Sequence, residues 1–139
     1  MAGKSKEVIV SGKRKTSIAK ARIVETNGKG IITINKVPHT LLNNFHKLSI
    51  EEPLRIAKKI INDVNYDIHI KIFGGGRESQ IEAARLALAR ALVAKTKSQK
   101  LKDAFIAYDK HLLIADVRRK EAYKPGDSKA RAKRQTSYR

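Results

Sequence analysis

The last 22 residues of this chain cannot bury themselves. Residues 118–139 carry nine basic and two acidic side chains, a net +7, and only Tyr123 and Tyr138 offer much apolar surface. A segment this charged and this poor in apolar groups cannot offset the entropy of ordering its backbone. Any core is therefore expected within residues 1–117, with 118–139 an extended basic tail that is disordered in isolation. The other end is basic too: residues 1–22 carry seven basic side chains and one acidic, a net +6. The 95 residues between these ends carry fifteen basic and ten acidic side chains, only +5. A near-ordinary domain sits between two basic ends.

The whole chain, 139 residues at a net +18, is one domain's worth of sequence. Self-repulsion at that charge works against compaction, and a polyanionic partner is the reason to tolerate it. Nucleic acid is the first candidate and an anionic membrane surface a weaker second. The sequence has no Cys, which excludes disulfides and thiolate metal sites and fits a reducing compartment. No window has transmembrane length and the N-terminus lacks an apolar run of signal-peptide type, so a cytosolic location is expected. Aromatic residues make up only 5%, so the core must rest on Ile, Leu, Val and Ala.

The pattern along the chain mixes strands and helices. Residues 7–10 read as a short strand broken at Ser11-Gly12. Residues 18–25 alternate with period two and read as another. The turn signal Asn27-Gly28-Lys29-Gly30 and the β-branched run 31–34 make 18–34 a hairpin. A helix is expected over about 51–61, with Pro53 in its first turn, where a missing N–H costs nothing, and Leu54, Ala57, Ile60 and Ile61 as its buried stripe. Tyr66–Phe73 is the clearest strand, with Tyr66, Ile68, Ile70 and Ile72 on one face. An Ala-rich helix should follow from near Ser79 to about Ala94. Ser79 and Glu82 have capping-box spacing, and Ala84, Leu88, Ala91 and Leu92 form the inner face. Residues 101–108 read as a third helix and 111–115 as a last short strand. The expected fold is a two-layer α/β sandwich, a small mixed sheet packed against helices.

Three segments carry candidate chemistry. In the tail, Arg118, Arg119, Lys120, Lys124, Lys129, Arg131, Lys133 and Arg134 can follow a phosphate backbone. A merely solubilising tail would accept Asp and Glu equally well, whereas Arg offers a planar fork that grips phosphate and stacks on bases. Tyr138 can stack on a base. Gly12-Lys13-Arg14-Lys15-Thr16-Ser17 is either a solvated basic loop or a phosphate clamp of cations and hydroxyls, and glycine spacing for a nucleotide-binding P-loop is missing. Gly74-Gly75-Gly76-Arg77 joins a strand to a helix and is either an anion seat or a tight turn. No metal or cofactor is expected, because His39, His46, His69 and His111 lack ligand spacing. Asp67, Asp109 and Asp116 form no catalytic pair, which argues against an enzyme and a small-molecule substrate.

The residues resemble the family of the universal ninth protein of the small ribosomal subunit, in its archaeal and eukaryotic cytosolic form. One matching stretch is Gly12-Lys13-Arg14-Lys15-Thr16-Ser17-Ile18-Ala19 with Ala21-Arg22. A second is Gly74-Gly75-Gly76 with Ser79-Gln80, Ala84 and Ala89-Arg90-Ala91-Leu92. The third is Asp116, Arg118, Glu121, Lys124, Gly126, Ala130-Arg131 and the ending Gln135-Thr136-Ser137-Tyr138-Arg139. The resemblance implies a domain like the second domain of the fifth small-subunit protein. It implies binding to ribosomal RNA in the subunit head, among neighbouring ribosomal proteins, with no membrane partner. It also implies a tail that approaches the anticodon stem-loop of peptidyl-site tRNA. That role falls on Gln135, Ser137, Tyr138 and Arg139. Ribosomal RNA falls to Lys13, Arg14, Lys15, Thr16, Arg22, the glycine loop with Arg77, and the tail cations before Gln135. Bacterial members usually have a basic residue where this chain has Tyr138, so bacterial tail contacts do not transfer at that position. The rival readings are a free-standing RNA-binding module and a small nucleotide-binding enzyme built around the glycine loop.

Overall fold

The computed structural model describes residues 7–25, 30–61, 66–134 and 136–138. The basic arm at 1–6, the turn residues 27–29, and Gln135 and Arg139 lie outside them. Five strands form one sheet: β1 (Val8–Arg14), β2 (Ser17–Glu25), β3 (Ile32–Ile34), β4 (Val37–Pro38) and β5 (Tyr66–Phe73). Three α-helices accompany them, α1 (Asn44–Ile61), α2 (Arg77–Thr96) and α3 (Gln99–Tyr108). This is the expected mixed α/β architecture, a small sheet packed against helices.

The sheet order is β1-β2-β5-β3-β4. The expected hairpin over 18–34 does not form, because β5 inserts between β2 and β3. β2 pairs antiparallel with β1 and β5, while β3 runs parallel to β5, with α1 as the crossover. A turn signal is local, and what its flanking strands pair with is not. The actual hairpins are β1–β2, turning at Lys15 and Thr16, and β3–β4, turning at Asn35 and Lys36. Asn35 and Lys36 both have positive φ, 48° and 70°, the twist that suits a two-residue hairpin loop.

Strand alternation builds the core. Ala19, Ala21 and Ile23 of β2, Ile68, Ile70 and Ile72 of β5, and Ile32 and Ile34 of β3 are all buried on one face. α2 lies across that face and buries Ala84, Leu88, Ala91 and Leu92 as expected. β1 is not broken at Ser11-Gly12. It runs through them, because Gly12 is where the sheet meets α2: a Cβ there would lie 2.4 Å from the Ala83 carbonyl oxygen and 2.7 Å from the Ala87 nitrogen. α1 packs beside α2, and Leu101 and Phe105 of α3 complete the core.

Three boundaries differ from expectation. α1 begins at Asn44, so Pro53 lies in its interior rather than its first turn. The proline ring is buried there. α2 begins at Arg77, with Gly76 as N-cap. Ser79 is therefore the third helical residue, and its hydroxyl accepts from the Gly76 N–H at 3.1 Å. The last expected strand is a 3₁₀ turn, Lys110–Leu112, because α3 ends at Asp109, whose carboxylate accepts from the His111 N–H at 2.8 Å. Leu112 is buried there, whereas Ile114 is exposed.

Candidate nucleic-acid interface

The fold brings the β1–β2 turn, the glycine loop and the root of the tail to one end of the sandwich. The β1–β2 turn sits against the loop between β5 and α2. The Ser17 hydroxyl donates to the Gly74 carbonyl at 3.0 Å, and Gln80 Nε2 donates to the same oxygen at 3.0 Å. Ser17 and Ser79, both buried, share a hydrogen bond of 2.8 Å. Gly74 and Gly75 adopt φ of +71° and +70°, and a Cβ on Gly75 would lie 1.9 Å from Ser17 Oγ. The glycines are thus required by the backbone and by the serine pair. Gly76 donates its N–H to Ser79 rather than to solvent.

The tail starts at the same end. Arg14 points to the helix side of β1 and forms an ion pair with Glu82 and one of 2.7 Å with Asp116. Asp116 also accepts from the Arg118 guanidinium at 2.7 Å and from the Arg118 N–H at 2.8 Å. The side-chain and backbone bonds from Arg118, with the nearby charge of Arg14, hold the Asp116 carboxyl well below the usual carboxylate range. Arg90 adds a tether, donating to the Leu113 carbonyl at 2.7 Å and to the Ser11 carbonyl at 2.9 Å. The run Lys13, Arg14, Lys15 is thereby split by the pleat. Lys13 is exposed on the open side of the sheet, Lys15 is exposed at the turn with Thr16, and Arg14 anchors the tail root. Sequence alone gives Arg14 the same phosphate-clamp role as Lys13 and Lys15, not that of an anchor. Its signal was the period of two, which puts Arg14 opposite to Lys13.

Beyond Arg118 the tail has neither helix nor strand among the described residues, and Arg119, Lys120, Lys129, Arg131, Lys133 and Arg134 are exposed. Its polar contacts there stay within the tail. Arg131 pairs with Glu121 at 2.9 Å, Arg134 with Asp127 at 2.6 Å, and Lys124 Nζ donates to the Ala132 carbonyl at 2.8 Å. Exposed pairs of this kind are worth about 0–1 kcal/mol each and give way readily to phosphate. Tyr138 is 93% exposed. Arg22 is exposed on the open sheet face and pairs with Glu7, while Arg77 opens α2. The tail, the turn and Arg22 are therefore not one continuous patch.

No group of three or more His, Asp or Glu side chains among the described residues is placed to hold a metal ion. No helix among them is long and apolar enough to cross a membrane.

A family model described as ribosomal protein S9/S16 matches residues 12–139. The small ribosomal subunit protein uS9 of Methanococcus vannielii is 42% identical over 137 residues, covering 96% of this chain and 99% of that protein. The proteins of the same name from two strains of Methanococcus maripaludis, C5 and C7, are 44% and 43% identical with the same coverage. The match begins at Gly12, where strand meets helix, and runs through the glycine loop to the end of the tail; the chain belongs to the ribosomal protein S9/S16 family.

Proposed function

We propose that this chain is a structural component of the small ribosomal subunit in the cytoplasm. In this reading it binds the subunit's RNA through its basic surfaces and reaches the peptidyl-site tRNA with the end of its tail. It is not an enzyme and uses no cofactor. The observation that carries the reading is that the family match spans domain and tail together, to residue 139. The tail included in that match has a net +7, and beyond Arg118 its described ion pairs are internal and exposed, which suits exchange for phosphates.

In this reading the roles divide as follows. Lys13, Lys15, Thr16 and Arg22 meet ribosomal RNA from the domain, with the glycine loop and Arg77 at its edge. Arg14 contributes chiefly by fixing where the tail leaves. Arg118, Arg119, Lys120, Lys124, Lys129, Arg131, Lys133 and Arg134 exchange their weak internal partners for phosphates. Gln135, Ser137, Tyr138 and Arg139 face the anticodon stem-loop. Residues 1–117 act as the folded domain and 118–139 as the tail. Helices on one face of a small mixed sheet support the likeness to the second domain of the fifth small-subunit protein. Neighbouring proteins of the subunit head are the other expected partners.

The test is a truncation. Subunits carrying the chain without residues 129–139 should assemble but hold peptidyl-site tRNA more weakly, and Arg139→Ala should shift affinity less in the same direction. Equal tRNA affinity in truncated and intact subunits would remove the tRNA contact from this reading.

A further inference from the structure

The helices cover one face of the sheet, and among the described residues nothing covers the other. Cross-strand register sorts that open face into rows. One row runs Lys13, Ile18, Phe73; the next Ser11, Lys20, Lys71; the third Ile9, Arg22, His69, Thr33. Lys20 and Lys71 are direct partners on adjacent antiparallel strands. Like charges placed this way destabilise a sheet. The fold gains nothing from the arrangement, and neither ammonium has a carboxylate partner among the described residues.

The apolar groups of this face are as unusual as the charged ones. Phe73 is 60% exposed and Ile9 69%, with Ile18 beside Phe73 in the same row. A groove of about 540 Å³ lies between the third row and the lysines of the middle one, lined by Ile9, Lys20, Arg22, Thr33, His69 and Lys71, with Phe73 outside it. Acidic groups lie only at one end of the face among the described residues. Glu7 there is engaged by Arg22, and Asp67 accepts from the Ile31 N–H at 2.9 Å. His69 Nδ1 shares a hydrogen bond with Thr33 Oγ1 at 2.8 Å, which fixes its ring. Cations at strand-neighbour spacing beside an exposed aromatic ring are the combination that binds a nucleic-acid strand. Lysines take the phosphates and the ring stacks a base.

We propose that the open sheet face is a second RNA-docking surface, separate from the tail, on which Lys20 and Lys71 hold the phosphates of one strand and Phe73 stacks an unpaired base. The proposal rests on the RNA-binding reading above and deepens it: Lys13 and Arg22, which that reading gives to ribosomal RNA, stand on this face, and Lys20, Lys71 and Phe73 are added to them. The occupant is RNA rather than a neighbouring protein because the paired lysines repel each other until an anion bridges them. A protein would have to bring carboxylates to that one row and also cover Phe73.

Two measurements on the full-length chain test it. The first is the salt dependence of binding to small-subunit ribosomal RNA. Each phosphate left without its cation lowers the slope of log affinity against log salt by about 0.7–0.9. The double variant K20Q/K71Q should therefore lower the slope by about 1.4–1.8. Its melting temperature should not fall, since a repulsion has been removed. Phe73→Ala should weaken binding by at least about fivefold. The second places a photoreactive benzoylphenylalanine at Phe73 in assembled subunits, where irradiation should link it to ribosomal RNA. An unchanged slope in K20Q/K71Q, a link to a protein neighbour, or no link overturns the sheet-face proposal. Wild-type chain that fails to bind the RNA would instead overturn the RNA-binding reading itself.

Discussion

At Gly12 a single methyl group decides whether strand and helix can meet. The carbonyl of Ala83 occupies the place where a Cβ would go, and both partners are backbone, so neither can rotate aside. Gly12→Ala should cost roughly 2–4 kcal/mol in a urea or thermal melt. Gly75→Ala should cost a similar amount, since it combines a positive φ with a clash against Ser17. Melts unchanged by either substitution would contradict this packing. Residue type is legible in the sequence at both sites, and cause is not. Gly12 reads as a strand breaker because the helix that requires it is some seventy positions further along. Ser79 reads as a cap, yet it is the third residue of its helix and binds Ser17 across the molecule. The alternation of 66–73 puts Phe73 opposite the apolar face of β5, and its ring is exposed there.

Elements with a strong local pattern are the legible ones. The bounds of β5 are those of its alternating run, and the Ala-rich helix lies where its small residues put it. Pairings are not legible: β3 joins β5 in parallel because α1 carries the chain over the sheet, and no turn residue encodes that. The apolar run 112–114 reads as a strand, but an Asp109 cap closes a 3₁₀ turn before one can extend. At this scale the Arg14–Asp116–Arg118 link joins domain to tail. Asp116 titrates below its ordinary value, so its contribution is fully present above the ordinary carboxylate pKa of about 3.9 and is lost as pH falls below it. Asp116→Asn should speed trypsin cleavage at Arg118 and Arg119 near neutral pH and leave the domain's melt nearly unchanged. In the intact chain cleavage should be insensitive to the state of Asp116 from about pH 4.5 upward. Equal cleavage of the variant and the intact chain would show that the link does not hold the tail root.

For the whole molecule, charge and fold are divided between different parts of the chain. Each large buried side chain, from Ile23 to Leu112, lies before the tail, while the terminal 22 residues hold more net charge than the 95 in the middle. Removing residues 129–139 should therefore leave the melting temperature of the isolated chain within about 2 °C of the full-length value, because surface changes away from the core rarely exceed 0.5 kcal/mol. The same deletion should flatten the salt dependence of RNA binding by about 0.7–0.9 for each phosphate that the tail no longer neutralises. The charge division is legible in the sequence, because net charge and apolar content are properties of a segment whatever it packs against. The open basic sheet face is not, since Lys20 and Lys71 become neighbours only through the β2–β5 register. The most direct measurement is a density map of the small subunit with tRNA in the peptidyl site. Residues 118–139 should run as an extended chain along ribosomal RNA, with Tyr138 and Arg139 at the anticodon stem-loop. A tail folded on its own domain, or projecting into solvent away from the tRNA, would contradict this.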